Sequence, residues 1–224
     1  MFSAYALAAY ADDSVMLLGK ASFTTNTRIF YNVDNPQIIA DMANVSSNFG
    51  FGAEVRVRTF WERWYIGLAV EQIKGSQQTL LTYSGPYNDV LVPRTDGYEI
   101  MPIELSGYYS VPISSNTIVF YLGGGIGYYK GKRNYSIGNA DSRSDGVNSA
   151  LGIQVSTGLR WMITPMLGIE GQLRFRDPQI SATNVFDQSA TTYGGVRVLL
   201  SRTPSHTTIN LNGINYSAGL AIVF

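Results

Sequence analysis

The ionisable residues that could do chemistry form one set of nine and a few singles. Glu54, Arg56, Arg58, Glu71, Glu104, Arg160, Glu170, Arg174 and Arg176 each lie within a segment where polar and apolar residues alternate. Opposite charges gathered on one side of such segments would either pair into a dry polar interior or line an ion pathway with a gate. The single histidine, His206, lies in Arg202-Thr203-Pro204-Ser205-His206-Thr207-Thr208. A hydrolytic site needs a nucleophile and an orienting acid arranged around the imidazole in space, which adjacency to Ser205 does not supply. His206 therefore reads as an exposed loop histidine. Asp141 and Asp145 read equally as solvating charge or as calcium ligands. Gly123, Gly124, Gly125 and Gly127 lack the following helix that a phosphate-binding loop requires. No catalytic residue, metal site or cofactor is assigned.

The elements that position these residues are strands. Leu151, Ile153, Val155, Thr157, Leu159, Trp161 and Ile163 alternate with Gly152, Gln154, Ser156, Gly158, Arg160 and Met162. After Thr164-Pro165-Met166 the pattern resumes, with Leu167, Ile169, Gly171, Leu173 and Phe175 opposed by Gly168, Glu170, Gln172, Arg174 and Arg176. A period of two over this length is a β-hairpin, since a helix would smear Arg and Glu around its circumference. Centring the turn on Pro165 sets Arg160 across from Glu170 as a cross-strand ion pair. Glu54, Arg56 and Arg58 alternate with Ala53, Val55 and Val57 before a tight turn at Glu62-Arg63, and Glu71 follows on the return strand. Glu104 opposes Ile103 and Leu105, and a turn near 112–116 leads to a strand from Ile118 to Ile126. Further strands are expected around 15–23 and 210–224. Inward Gly123, Gly125 and Gly127 would make room for bulky Arg and Tyr neighbours.

Composition bounds the class. The chain has 224 residues, one domain's worth, with 14% charged and 12% aromatic residues. That charge content is well below the roughly 25% of soluble domains. No apolar run reaches the roughly 18 residues of a membrane helix. The absence of cysteine excludes a disulfide framework and thiolate metal sites, and the formal net charge of zero argues against nucleic acid as a partner. Residues 1–11, ending Ala9-Tyr10-Ala11, are expected to be the remnant of a secretory signal cleaved before Asp12, with an ordinary apolar segment as the alternative. Residues 12–224 then form a single domain.

The connections alternate in length. Those near Glu62, Ser114 and Pro165 are short, whereas 33–47, 84–97, 138–147 and 181–208 are expected to be long polar loops, with an extra hairpin around Val196–Leu200. Short turns on one side and long loops on the other suit an outer-membrane barrel. A soluble barrel with its apolar face inward is the alternative. Trp61, Trp64 and Trp161 lie on the apolar face beside short turns, where an interfacial aromatic girdle belongs. The opposite face carries the charges. The expected fold is therefore all-β: a transmembrane antiparallel up-and-down barrel of about eight strands, filled by a polar plug.

Tyr121-Leu122-Gly123-Gly124-Gly125-Ile126-Gly127-Tyr128, the hairpin Gly158-Leu159-Arg160-Trp161 to Gly168-Ile169-Glu170, and the terminal Tyr216 to Phe224 resemble the OmpA/OmpX-like superfamily of small outer-membrane β-barrels. The resemblance implies the bacterial outer membrane, its lipids as partners, and an assembly signal in Tyr216, Leu220, Ile222 and Phe224 read by the barrel-assembly machinery. It is unspecific for activity. The function expected is a non-enzymatic anchor presenting extracellular loops for envelope integrity, adhesion or protein partner contact. Binding or passage of a small ligand, as in OmpW-like barrels, is the alternative, and a lipid-modifying enzyme is the third.

Overall fold

A computed structural model of the chain describes residues 15–31, 42–45, 48–84, 89–112, 117–146 and 148–224. Residues 1–11, expected to be a signal remnant, lie outside them, as does most of the turn expected at 112–116. In chain order the strands begin with β1 (Val15–Thr24), β2 (Thr27–Tyr31), β3 (Met42–Val45) and β4 (Asn48–Arg58). Three long strands follow, β5 (Trp64–Ser84), β6 (Asp89–Ser110) and β7 (Ile118–Ile137). Next come the short β8 (Ala140–Asp141) and β9 (Arg143–Asp145), then β10 (Asn148–Met162), β11 (Leu167–Arg176) and β12 (Gln179–Val185). The chain finishes with β13 (Ala190–Tyr193), β14 (Val196–Leu199), β15 (Ser205–Asn210) and β16 (Ile214–Val223).

Eight strands close into a ring of antiparallel neighbours. The order is β10-β11-β16-β1-β4-β5-β6-β7, and β7 pairs back with β10. β1 is held on both edges: Leu17 lies opposite Ile222 on one side and Val55 on the other. Closure removes the unpaired edges that an open sheet would expose to lipid, where no water can satisfy them.

The strand alternation sorts side chains radially. Ile66, Leu68 and Val70 on β5, Leu122 and Ile126 on β7, and Leu151, Ile153 and Val155 on β10 all point outward and are exposed. So many exposed large apolar groups in one continuous belt have no counterpart on a soluble monomer, and mark a surface that meets lipid. Trp61, Trp64 and Trp161 are exposed at the short-turn rim of the belt. Trp64 packs on Tyr109, with ring centroids 5.2 Å apart. At the opposite rim the outward residues turn charged, Glu99 lying 3.2 Å from Lys74 and 3.1 Å from Lys132.

Beyond that rim the structure departs from the expected long loops. The stretch 84–97 is largely strand, because β5 and β6 stay paired up to Ser84 and Asp89. Likewise 138–147 and 181–208 contain β8, β9, β12 to β15, and the described part of 33–47 is β3. A five-stranded sheet, β3-β2-β15-β12-β9, forms there, with the β13–β14 hairpin beside it. These strands are short, and polar residues occur on both of their faces, Thr27, Asn184 and Thr207 among the buried ones, so their alternation is faint in hydropathy. Where the surrounding solvent is water, an outward residue need not be apolar. Ile180 and Ala182 from β12, Ile209 from β15, and Ile29 from β2 meet Ile73, Tyr98, Ile100 and Tyr129 of the barrel in one buried core. The second sheet thereby caps the lumen.

Candidate functional site

The lumen holds the densest polar chemistry in the molecule. Arg56 on β4 is 1% exposed and holds two carboxylates at once. Its Nε donates to Glu54 Oε1 at 2.7 Å, while Nη1 and Nη2 donate to Glu170 Oε2 and Oε1 at 3.0 and 2.7 Å. The guanidinium also lies over two rings, 4.0 Å from the centroid of Tyr108 and 4.6 Å from that of Tyr121. Tyr121 donates to Glu170 Oε1 at 2.6 Å. Arg160 faces Glu170 across the β10–β11 hairpin, but at 3.4 Å it is the longer of that carboxylate's two arginine contacts.

A second cluster sits nearer the cap. Arg176 Nε donates to Glu104 Oε1 at 2.7 Å, and its Nη2 reaches Glu71. Arg174 pairs with Glu104 and lies 3.8 Å from Glu54, which joins the two clusters. Tyr129 donates to Glu104 at 2.7 Å and Ser22 to Glu71. The forked guanidinium supplies several donors in one plane, which is why arginine rather than lysine predominates where carboxylates are buried.

Two residues stand differently from the sequence pattern. Arg58 is half-exposed at the short-turn end of β4 and takes no part in the ion pairs of the described residues. Lys20 on β1, absent from the expected set, pairs with Glu54 and donates to Gln172 at 3.1 Å. The interior charges are thus Glu54, Glu71, Glu104 and Glu170 against Lys20, Arg56, Arg160, Arg174 and Arg176. The signal for Lys20 was weak because β1 carries apolar residues on both faces: Met16 and Leu18 point inward beside it. Those two join Met162, Ala221 and Val223 in a small apolar layer at the short-turn end. The cavity beside Lys20, Glu71 and Arg174 measures about 10 Å³, room for about one water.

Glycine placement makes this packing feasible. A Cβ at Gly67 would come 2.8 Å from Tyr108 Cε2, and one at Gly123 would come 2.6 Å from Cε1 of the same ring. Both positions leave the space that Tyr108 fills over Arg56. At Gly127 the neighbour is Tyr129, whose Cε2 would be 2.7 Å away.

The other candidates are scattered. His206 is exposed on β15, with Nδ1 3.1 Å from Thr183 Oγ1, a hydroxyl rather than a carboxylate. Asp141 and Asp145 are exposed, and no group of three potential metal-ligating side chains occurs among the described residues. Tyr216, Leu220, Ile222 and Phe224 face outward at β16 and just beyond it. Outside the lipid belt, sequence reasoning missed a further cluster on β6 and β7. Arg133 grips Asp96 with Nε to Oδ1 at 2.8 Å and Nη2 to Oδ2 at 2.6 Å. Tyr31 donates to Asp96 at 2.5 Å, and burial together with that bond pushes its phenol well above the usual tyrosine range. These residues fell within or beside stretches expected to be loops.

No family model matches the chain. No curated protein sequence matches it either. Among solved structures it is similar to the outer membrane protein OprG of Pseudomonas aeruginosa, with a TM-score of 0.65 at 12% identity, covering 96% of this chain and 98% of that one. It is also similar to Neisserial surface protein A, with a TM-score of 0.47 at 15% identity over 94% and 97% of the two chains. The closed eight-strand ring, its lipid-facing belt and the likeness to OprG establish the fold: an eight-stranded antiparallel β-barrel of the outer-membrane type.

Proposed function

We propose that this barrel is a non-enzymatic anchor that holds a folded β-sheet module outside the outer membrane for adhesion, envelope integrity or contact with a partner. The observation that carries the reading is the extension of β5, β6 and β7 past the lipid belt, where they share one buried core with a second, five-stranded sheet. A conduit needs an open lumen, whereas here the second sheet caps a lumen filled by paired charges. Catalysis would need a nucleophile and an acid beside His206, whose hydrogen-bond partner is Thr183. In this reading outer-membrane lipids cover the belt, and the barrel-assembly machinery recognises the outward residues Tyr216, Leu220, Ile222 and Phe224.

The test uses the absence of cysteine from the sequence. Thr82→Cys lies near the far end of β5 and Glu62→Cys in a short turn at the other end. A membrane-impermeant maleimide should label the Thr82→Cys variant in intact cells and the Glu62→Cys variant only after the outer membrane is permeabilised. Labelling in the reverse order would place the module in the periplasm and overturn the proposal.

A further inference from the structure

At the far end of the second sheet, β7, the segment around β8 and β9, β12 and the β14–β15 loop line a partly open cavity of about 360 Å³. That volume lies in the lower part of the roughly 300–1,000 Å³ range of small-molecule sites. We infer that this cavity binds a neutral saccharide unit. The inference rests on the reading above, in which this end of the molecule faces the cell exterior.

The lining divides by chemistry. One wall is apolar: Ile137, Phe186 and Leu200 belong to a buried core that Tyr135 packs against. The Tyr135 and Phe186 rings are tilted, with centroids 5.5 Å apart. Leu199 and Pro204 add to the apolar lining, and hydroxyls and an amide come from Ser142, Ser201, Thr203, Ser205 and Asn184. No lining residue carries a charge. The nearest charges, Arg94 and Arg133 against the Tyr135 ring, are paired with Asp96, so an ionic ligand would lose its hydration without gaining an unpaired counter-charge, which selects for a neutral one.

Asn184 supplies an independent indication. It is 2% exposed, and its Nδ2 donates to the Arg133 carbonyl at 3.2 Å and to Ser142 Oγ at 3.0 Å. Its Oδ1 is buried and accepts no hydrogen bond. A buried acceptor without a donor is costly, and a ligand donor that meets it through a small rotation of the Asn184 amide relieves the cost. A hydrocarbon cannot do so, but a sugar hydroxyl can. A pyranose also presents a face of C–H bonds, suited to the Tyr135 and Phe186 side, and hydroxyls at its edge for the serine and threonine side. The frame is firm, because β7 is tied to β6 by the Arg133–Asp96 pair and β12 is paired with both β15 and β9.

The experiment is binding of the full chain, folded in detergent, to a printed array of neutral oligosaccharides. Sialylated versions of the same glycans and an immobilised alkyl chain serve as comparators. Ser201→Trp fills the cavity from an exposed loop position, and Thr203→Val removes one hydroxyl at nearly constant shape; the mobility shift between unheated and boiled samples reports barrel folding in both. Expected are retention of neutral glycans by the wild type, at least a tenfold loss in Ser201→Trp, and a several-fold loss in Thr203→Val. Absence of neutral-glycan binding, equal binding by both variants, or preference for the sialylated or alkyl surfaces would overturn the inference. Because the cysteine-labelling test reads orientation without any ligand, a blank array with Thr82→Cys labelled in intact cells refutes the saccharide site alone.

Discussion

Arg56 bonds two carboxylates from different strands, Glu54 beside it on β4 and Glu170 on β11, while Arg160 touches only the second and at a longer distance. Removing one partner of a buried pair costs about 3–5 kcal/mol, because the charge left behind is neither solvated nor compensated. Arg56→Met leaves Glu170 with the Tyr121 hydroxyl and a weak contact to Arg160, and Glu54 with Lys20 and a distant Arg174, so it should lose stability in that range. Arg160→Met leaves Glu170 still held by Arg56 and Tyr121, and should lose clearly less. Urea titration of the vesicle-folded protein, followed by the heated-sample mobility shift, measures both. Equal losses, or a larger loss in Arg160→Met, would remove Arg56 from the centre of the network. At this scale much was legible in the sequence. Alternation within a strand assigns a side, so Glu54, Arg56, Glu71, Glu104, Arg160, Glu170, Arg174 and Arg176 are all buried in the lumen. Which acid meets which base was not legible beyond the hairpin register, because Arg56 and Glu170 are 114 positions apart and meet across the barrel. Arg58 follows the same alternation yet sits where the strand leaves the barrel, so its side alone did not decide its burial.

Strands β10 and β11 carry the orientation of the whole wall, since Leu159 and Arg160 are neighbours that point to opposite sides. Leu159 is exposed on the belt while Arg160 is buried. Leu159→Arg therefore puts a charge against hydrocarbon, at a cost of up to about 2–4 kcal/mol near the midplane and less toward the interface. Folding yield into lipid vesicles should fall, and the loss should be smaller in short-chain detergent, which solvates the arginine. An unchanged yield in vesicles would mean that this face does not meet lipid. Strands in the lipid zone are readable because the bilayer demands apolar residues on one side and the packed lumen demands polar ones on the other. Outside the lipid that contrast is gone. β12 buries Ile180, Ala182 and Asn184 in alternation, but the exposed Gln179 and Ser181 and the half-buried Thr183 give it the composition of a loop.

Across the whole molecule the lumen is layered along its axis. Met16, Leu18 and Met162 lie in the apolar layer at the short-turn end, the ion-pair network fills the middle, and Ile73, Ile100 and Tyr129 meet the second sheet above it. An eight-stranded barrel has an interior only about wide enough for side chains, and here arginines, glutamates and tyrosines occupy it. On the proposed reading, the closed lumen and the capping sheet make the barrel a support for what stands above it rather than a passage through it. Single-channel recording in planar bilayers tests that most directly. With the wild-type protein inserted, as verified by the mobility shift of recovered material, no reproducible open level should appear at any applied voltage below that which breaks the bilayer. Stable, reproducible conductance steps of porin size would contradict the account, because they require a continuous water path where the structure has paired charges between two apolar layers.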